Sequence, residues 1–387
     1  MNEFDVAIVG AGPAGSATAI TLAQRGYHVA LLDRASFPRD KLCGDFLNPI
    51  VWPVLRERDA DSGLLSLPHA KLTKFRISAA NGAEAVSALP AQGDRQFGLG
   101  LRRFYLDHVL LTRAKRAGAS VIEQIKLHAI KRESRGWRLD MHRGDDRISA
   151  RAKIVVGADG RNSWVAQQLG AATAPPTHSA AVGFQVQLRD VPDLRGSVEI
   201  HQFAGGYAGL LRVDDDTVNL GFTVNRSLLR GSRSFVNLRG QFLQRNPLLG
   251  ELLSVSKPTS NLRSAWPVYF PAHRCFGDSF LLVGDAARVT EPLTGEGIFL
   301  ALRSGQLAGT TLAQALVEGN LSSVRLSVYH RACRAEFANR LRLNAVIRNL
   351  VYRPRLLSLA IRLLNRRKRL LDLLLNAVCQ RRAACDL

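Results

Sequence analysis

Apolar residues run unbroken through FDVAIV (4–9), whereas later segments alternate apolar with polar. An unbroken apolar run of strand length reads as a strand buried on both faces, as in a parallel sheet. GAGPAG (10–15) follows, then a helical pattern through Ala17, Ile20, Leu22 and Ala23 that stops at Gly26. HVALLD (28–33) is a second buried strand. The three pieces predict a βαβ unit of about thirty residues. Residues 99–123 read as another helix feeding a strand, and 127–150 alternate as hairpins. RAKIVVGADG (151–160) is a buried strand that ends on Asp159-Gly160. Between 181 and 226 come four alternating runs, VGFQVQL, SVEIHQF, GYAGLLRV and TVNLGFTV, which predict an inserted antiparallel sheet. SFLLVGDAA (279–287) returns to the buried-strand pattern, and from about 323 the chain is helical to its end, with a break at Pro354.

This pattern predicts an α/β fold. A Rossmann-type nucleotide-binding domain would comprise 1–75, 96–180 and 275–322. The inserted sheet, 76–95 and 181–274, would be the substrate domain. Residues 323–387 would form a basic helical region.

Chemistry enters at the glycines. Gly10, Gly12 and Gly15 make G-x-G-x-x-G directly after a strand and open a helix, with Pro13 and Ala14 between them. That places backbone N–H groups and a helix dipole before a pyrophosphate. Asp33 ends the second strand, where a carboxylate bonds a ribose hydroxyl, with Arg34 beside it. An acid there repels a ribose 2′-phosphate, so the nucleotide is expected to be NAD or FAD rather than NADP. EPLTGEGIFLALRSG (291–305) poses a second anion question. A helix that begins at Gly-Glu-Gly presents unpaired N–H groups and partial positive charge to whatever lies in front of it.

The bulk numbers exclude several classes. Composition is globular, 46% apolar and 22% charged. No apolar stretch is long enough for a transmembrane span. The start is already a strand rather than a signal peptide. The five cysteines show no metal spacing, and Cys385 does not meet the prenylation pattern, so a reducing cytoplasm is expected and no metal. Net charge is +21, and residues 340–387 hold twelve Lys+Arg against two acids. Nucleic acid is not the expected partner, because this basic region is leucine-rich and nearly lacks aromatic side chains for stacking. RPRLLSLAIRLLNRRKRLLDLLLNAV (353–378) admits two readings: a helix in a membrane interface, or a cap whose leucines pack inward.

Four separated motifs now stand in order: GAGPAG with Asp33, the Arg103-x-x-x-Asp107 helix, GADG at 157–160, and VGDAA at 283–287. They resemble the FAD-dependent aromatic hydroxylase superfamily, with the fold of para-hydroxybenzoate hydroxylase, over roughly residues 1–325. The resemblance implies FAD as cofactor and NAD(P)H as electron donor. It implies that Gly10, Gly12 and Gly15 admit the pyrophosphate, Asp33 holds the adenosine ribose, Arg103 lies along the cofactor, Asp159 orients it, and Gly284 and Asp285 meet the ribityl chain. Pro292 would approach the flavin ring. The N–H groups near Gly295, Glu296, Gly297 and Ile298 would face the negative edge of the reduced ring. Glu296 also has a plainer reading, since acids favour the first turn of a helix.

PLTGEGI followed by LALRSG, and KLCGDFLNP (41–49), resemble the geranylgeranyl reductase branch. Cys43 and Gly44 would then sit near the flavin, or Cys43 is a small buried residue beside a tight turn. Departures are specific. Gly209, Leu211 and Arg212 stand where those reductases carry Trp, Phe and Pro, and Ala166 stands where an arginine often follows the GADG motif. The halogenase Trp-x-Trp-x-Ile-Pro is absent. Phe184, His201, Tyr207, Leu211 and Phe222 are the candidate substrate wall. The expected activity is NAD(P)H-dependent monooxygenation of a hydrophobic aromatic or polyketide-like molecule. The alternatives are reduction of C=C bonds in a prenyl or other lipid, and a membrane-associated flavin electron carrier.

Overall fold

In a computed structural model, residues 2–173, 181–231, 233–270 and 272–380 are described. Cys385 and the last two arginines of the basic tail lie outside them. The strand Asn2–Val9 forms the middle of a sheet. It pairs in parallel with Asp146–Gly157 on one side and Val29–Leu32 on the other. Val6 and Ile8 on one face and Ala7 on the other are essentially solvent-free, which is why the run is continuously apolar. Ser120–Ile122 and Phe280–Leu282 extend the sheet in parallel at its two sides. The 127–150 alternation is an antiparallel meander of Lys126–Glu133 and Gly136–Arg143 against Asp146–Gly157.

The helix Pro13–Ala23 packs tightly along the helix Gly297–Val317. A Cβ on Gly305 would sit 2.2 Å from the Ala14 carbonyl oxygen, so only glycine lets the backbones meet there. The Thr18 hydroxyl bonds both Ala14 O and Gly305 O across that seam. The beginnings of both helices are thereby fixed side by side.

The second sheet is built as expected from Ala181–Arg189, Ser197–Phe203, Gly206–Arg212 and Val218–Asn225, all antiparallel. Lys74–Ser78 joins it in parallel, and Glu84–Ala88 follows as the edge. One face carries Val186, Leu188, Leu210, Leu220 and Val224, which pack under the helices Phe235–Gln241 and Pro247–Ser254. The other face looks toward the first sheet.

The helical C-terminal region has one more break than the sequence predicts. Ser323–Val351 is followed by Pro354–Arg366 and then Lys368–Cys379. Pro354 makes the first break, as Pro at a helix start does. The second falls at Arg367, whose non-helical ψ of 72° interrupts the helix within the basic run. The last two helices form a hairpin against the Lys74–Ser78 and Glu84–Ala88 edge, with Leu357, Ile361, Leu371 and Leu375 buried there. No helix among the described residues is long and apolar enough to cross a membrane.

Candidate active site

One cavity of about 310 Å³ lies between the two sheets and under the C-terminal hairpin. Gly12, Pro13, Ala14, Arg103, Gly160 and Asp285 line one end. The glycine loop is shaped for close approach. Gly10 holds φ at +105°, and a Cβ on Gly15 would fall 1.8 Å from the Gly10 carbonyl oxygen. Gly12 faces open space, and the nearest atoms to a Cβ there would be the Arg103 and Arg39 guanidinium nitrogens at 3.9 Å. A cradle of backbone beneath two cations fits a pyrophosphate.

Asp33 is buried and accepts from the backbone N–H of Ala11 at 2.8 Å and of Ala35 at 2.9 Å. It stands behind the glycine loop, with one oxygen on each of these N–H groups. Arg34 does not: it is exposed, because its position points out of the sheet end. Arg39 takes the place at the loop, 3.6 Å from Asp33 and 3.4 Å from Asp107. Arg103 grips Asp107 one helical turn on through two bonds of 2.7 and 2.8 Å. Asp159 is turned inward: it accepts from the Ser163 hydroxyl at 2.5 Å and the Val165 N–H at 3.0 Å, capping the helix Trp164–Gln168. Its neighbours Ala158, Gly160 and Arg161 line the cavity instead. Gly284 packs behind the site, 2.8 Å from Ala14 Cβ were it to bear a Cβ of its own.

The loop Lys41–Asp45 crosses the middle of the cavity. Lys41, Cys43 and Gly44 line it. Burial, and then repulsion from Arg103, pull the Lys41 ammonium below its ordinary pKa. Burial pushes the Cys43 thiol up, so it is not a ready thiolate. The loop is stitched to the second sheet: Cys43 N–H donates to Gln185 Oε1, and Cys43 O accepts from Asn219 Nδ2. Asp45, at φ +55°, accepts from Arg103 N–H and from Gln185 Nε2. Burial raises its carboxyl to about 7, against the pull of Arg103.

At the second helix start, Pro292, Gly295, Gly297 and Ile298 line the cavity. Gly295 is left-handed at φ +65°, and no side chain caps the 21-residue helix that begins at Gly297. Its first-turn N–H groups therefore remain available to a bound anion. The Glu296 carboxylate is not among the lining groups. It is buried and turned to Arg340, 2.8 Å away, and burial raises its pKa. Arg340 also donates to the carbonyls of Ala377, Val378 and Gln380, so one side chain ties the helix start to the end of the C-terminal hairpin. Asn344 secures the same loop through Glu291 O and Thr294 Oγ1.

The substrate wall divides by strand parity. Tyr207 and Leu211 face the cavity, with Gly183, Gly209, Gly221 and Thr223. Gly209 and Gly221 are cross-strand partners, so the wall is hollowed where they meet. Phe184 and Phe222 also border the cavity, while their rings stack at 5.1 Å in the core on the sheet's other face. His201 is fully buried on that face too, bonded to Ser78 Oγ at 2.7 Å and Glu199 at 3.0 Å. Tyr207 donates to Glu291 at 2.6 Å, a buried polar point in an otherwise apolar wall. Ile347, Leu364, Leu371, Leu375 and Val378 close the cavity from the C-terminal helices, which no motif marked.

Residues 3–208 match the family model described as FAD binding domain. The chain is 30% identical over 347 residues to a digeranylgeranylglycerophospholipid reductase of Methanopyrus kandleri, covering 87% of this chain and 83% of that protein. The chain belongs to the geranylgeranyl reductase-like branch of the FAD-dependent monooxygenase superfamily. It is also 28% identical to conditioned medium factor receptor 1 of Dictyostelium discoideum, over 90% of this chain and 71% of that one. Among solved structures, the flavin-dependent brominase Bmp2 superposes with a TM-score of 0.83 at 17% identity, over 98% of this chain and 94% of that one. That likeness is one of fold. The protein is an FAD-dependent oxidoreductase.

Proposed function

We propose that this protein oxygenates an apolar molecule with a flat head and an aliphatic tail, such as an alkyl-substituted phenol, at the expense of NAD(P)H. FAD, when bound, supplies the electron relay from nicotinamide to O₂. The net reaction converts a substrate C–H, O₂, NAD(P)H and a proton to C–OH, NAD(P)⁺ and water. The observation that supports it is the shape of the wall. Gly209 and Gly221, which face each other across two strands, leave a recess in the wall of a cavity that Pro292, Gly295, Gly297 and Ile298 also line. Leucines from the C-terminal hairpin line the same cavity. A ring fits the recess and an alkyl chain the leucines.

The chain's own residues would bind, orient and exclude water. Arg39, Arg103 and the glycine loop hold the dinucleotide end. The open N–H groups at Gly297 and Ile298 favour negative charge on the ring edge. Tyr207 and Glu291 offer a bonded pair to a phenolic hydroxyl, and the apolar hairpin keeps the reacting region dry.

Kinship to lipid reductases supports a second reading, reduction of a C=C bond in a lipid chain. The deciding experiment is anaerobic addition of NADH or NADPH to the yellow protein, followed by O₂ and alkylphenols. Bleaching of the flavin band and a product heavier by one oxygen atom are expected. Bleaching with only hydrogen gained, on a prenyl lipid, would replace the first reading by the second.

A further inference from the structure

The C-terminal hairpin has two apolar faces. Leu364, Leu371, Leu374 and Leu375 point into the cavity. Leu356, Leu359, Leu363, Leu370 and Leu373 point outward, with Leu359 66% and Leu373 64% exposed. They are five of the fourteen large apolar side chains so exposed among the described residues, all within one hairpin. Leu356, Leu359 and Leu363 follow helical spacing, so they form one stripe. The basic run Arg366, Arg367, Lys368 and Arg369 forms the hairpin's turn and is exposed, as are Arg353, Arg355 and Arg362. Asp372 is the single acid of the hairpin, and its carboxylate accepts from Ser87 Oγ.

The geometry points to this hairpin as a roof that docks on an anionic bilayer and passes an apolar substrate from the lipid into the cavity beneath it. Leucines flanked by arginines match the acyl–headgroup boundary of an acidic membrane: the stripe enters the apolar layer and the cations meet the phosphates. A single helix layer then separates lipid from cavity. The inference rests on the reading of the cavity as the seat of an apolar substrate. The hairpin is held at its far end by Arg340 and along its edge by Ser87–Asp372 and Ser358–Asn81, so its outward face is presented as a fixed surface.

The test uses the full FAD-loaded chain and flotation with vesicles of phosphatidylcholine alone or with one-third phosphatidylglycerol. Binding to the anionic vesicles is expected to exceed binding to neutral ones by about tenfold and to weaken with salt. Leu359→Ser/Leu363→Ser/Leu373→Ser should lower it by about tenfold or more while leaving the flavin spectrum unchanged. Val317→Ser/Val324→Ser, two still more exposed apolar sites off the hairpin, should leave it unchanged. Equal loss in both variants, no preference for anionic vesicles, or a dimer in solution that only the leucine variant dissolves would overturn the inference. Vesicle binding is read without substrate, so its failure leaves the oxygenation reading standing. Retained binding with no oxygenated product from vesicle-borne alkylphenols counts against that reading alone.

Discussion

At the glycine-loop end, the cavity is walled by backbone and fixed charge. Gly10 and Gly15 allow no Cβ, and Arg39, Arg103, Asp33 and Asp107 form a closed set of ion pairs. At the other end the wall is mostly apolar side chains that fill space, leucines and isoleucine beside two facing glycines, with Tyr207 bonded to Glu291 as its polar point. The first kind of wall tolerates almost no substitution, because its ligand is bound by backbone groups and by paired charges in fixed geometry. The second changes shape with each side chain and still folds. One end is thus suited to an invariant cofactor and the other to a variable substrate.

The largest expected effect tests the rigid end. Gly15→Ala places a Cβ against the Gly10 carbonyl, so the loop must move. The purified variant should lack the visible flavin band altogether. A yellow variant would show that the loop yields, and the contrast between the ends would fail. Next comes the joint. Arg340→Ala leaves Glu296 buried and unpaired and frees the hairpin's end, at a cost of about 3–5 kcal/mol in urea unfolding. Glu296→Gln in the same background should restore most of that. Glu296→Gln alone should keep full FAD affinity; a weaker affinity would return the carboxylate to the cofactor's contacts.

The soft end is tested by Gly209→Trp. The indole would fill the recess between Gly209 and Gly221. Flavin content and its reduction by NAD(P)H should persist, while turnover of an alkylphenol falls by roughly a hundredfold through misplacement. Equal loss of flavin would show that the two ends are not separable.

The two ends also differ in how far they could be read from the sequence. The glycine loop, Asp33 and Arg103 were legible because their chemistry dictates residue type at fixed spacing along one βαβ unit. Arg39 was not, because nothing in the spacing says which of the arginines after Asp33 turns back to the loop. Asp159 accepts from Ser163 and Val165, and it is Ala158, Gly160 and Arg161 beside it that line the cavity, a detail of side-chain direction that the GADG spacing does not carry. In the substrate sheet, Phe184 and Phe222 border the cavity, yet they share parity with Val182, Val186, Leu220 and Val224, so their rings pack in the face under the helices. The cavity face is the smaller and more polar set, Gly183, Gln185, Asn219, Gly221 and Thr223, because part of it must bond the Lys41–Asp45 loop. The C-terminal roof left no motif, since apolar contact between distant segments demands volume rather than a named residue.

The smallest effect lies where the two ends meet. Asp45 bonds Arg103 on the cofactor side and Gln185 on the substrate side. Its folded pKa is about 7, above the ordinary 3.8, because burial disfavours the carboxylate. The folded protein therefore holds a proton that the unfolded chain has already lost. This contribution to stability is complete below about pH 4 and is lost as pH rises toward 7, by at most about 1.4 kcal/mol per pH unit. Asp45→Asn, which mimics the neutral acid and tolerates the left-handed backbone, should abolish that slope. The check is the urea midpoint of both proteins at several pH values between 4.5 and 7.5. Parallel curves would mean that Arg103 keeps Asp45 ionised throughout. The joint would then belong electrostatically to the rigid, charged end.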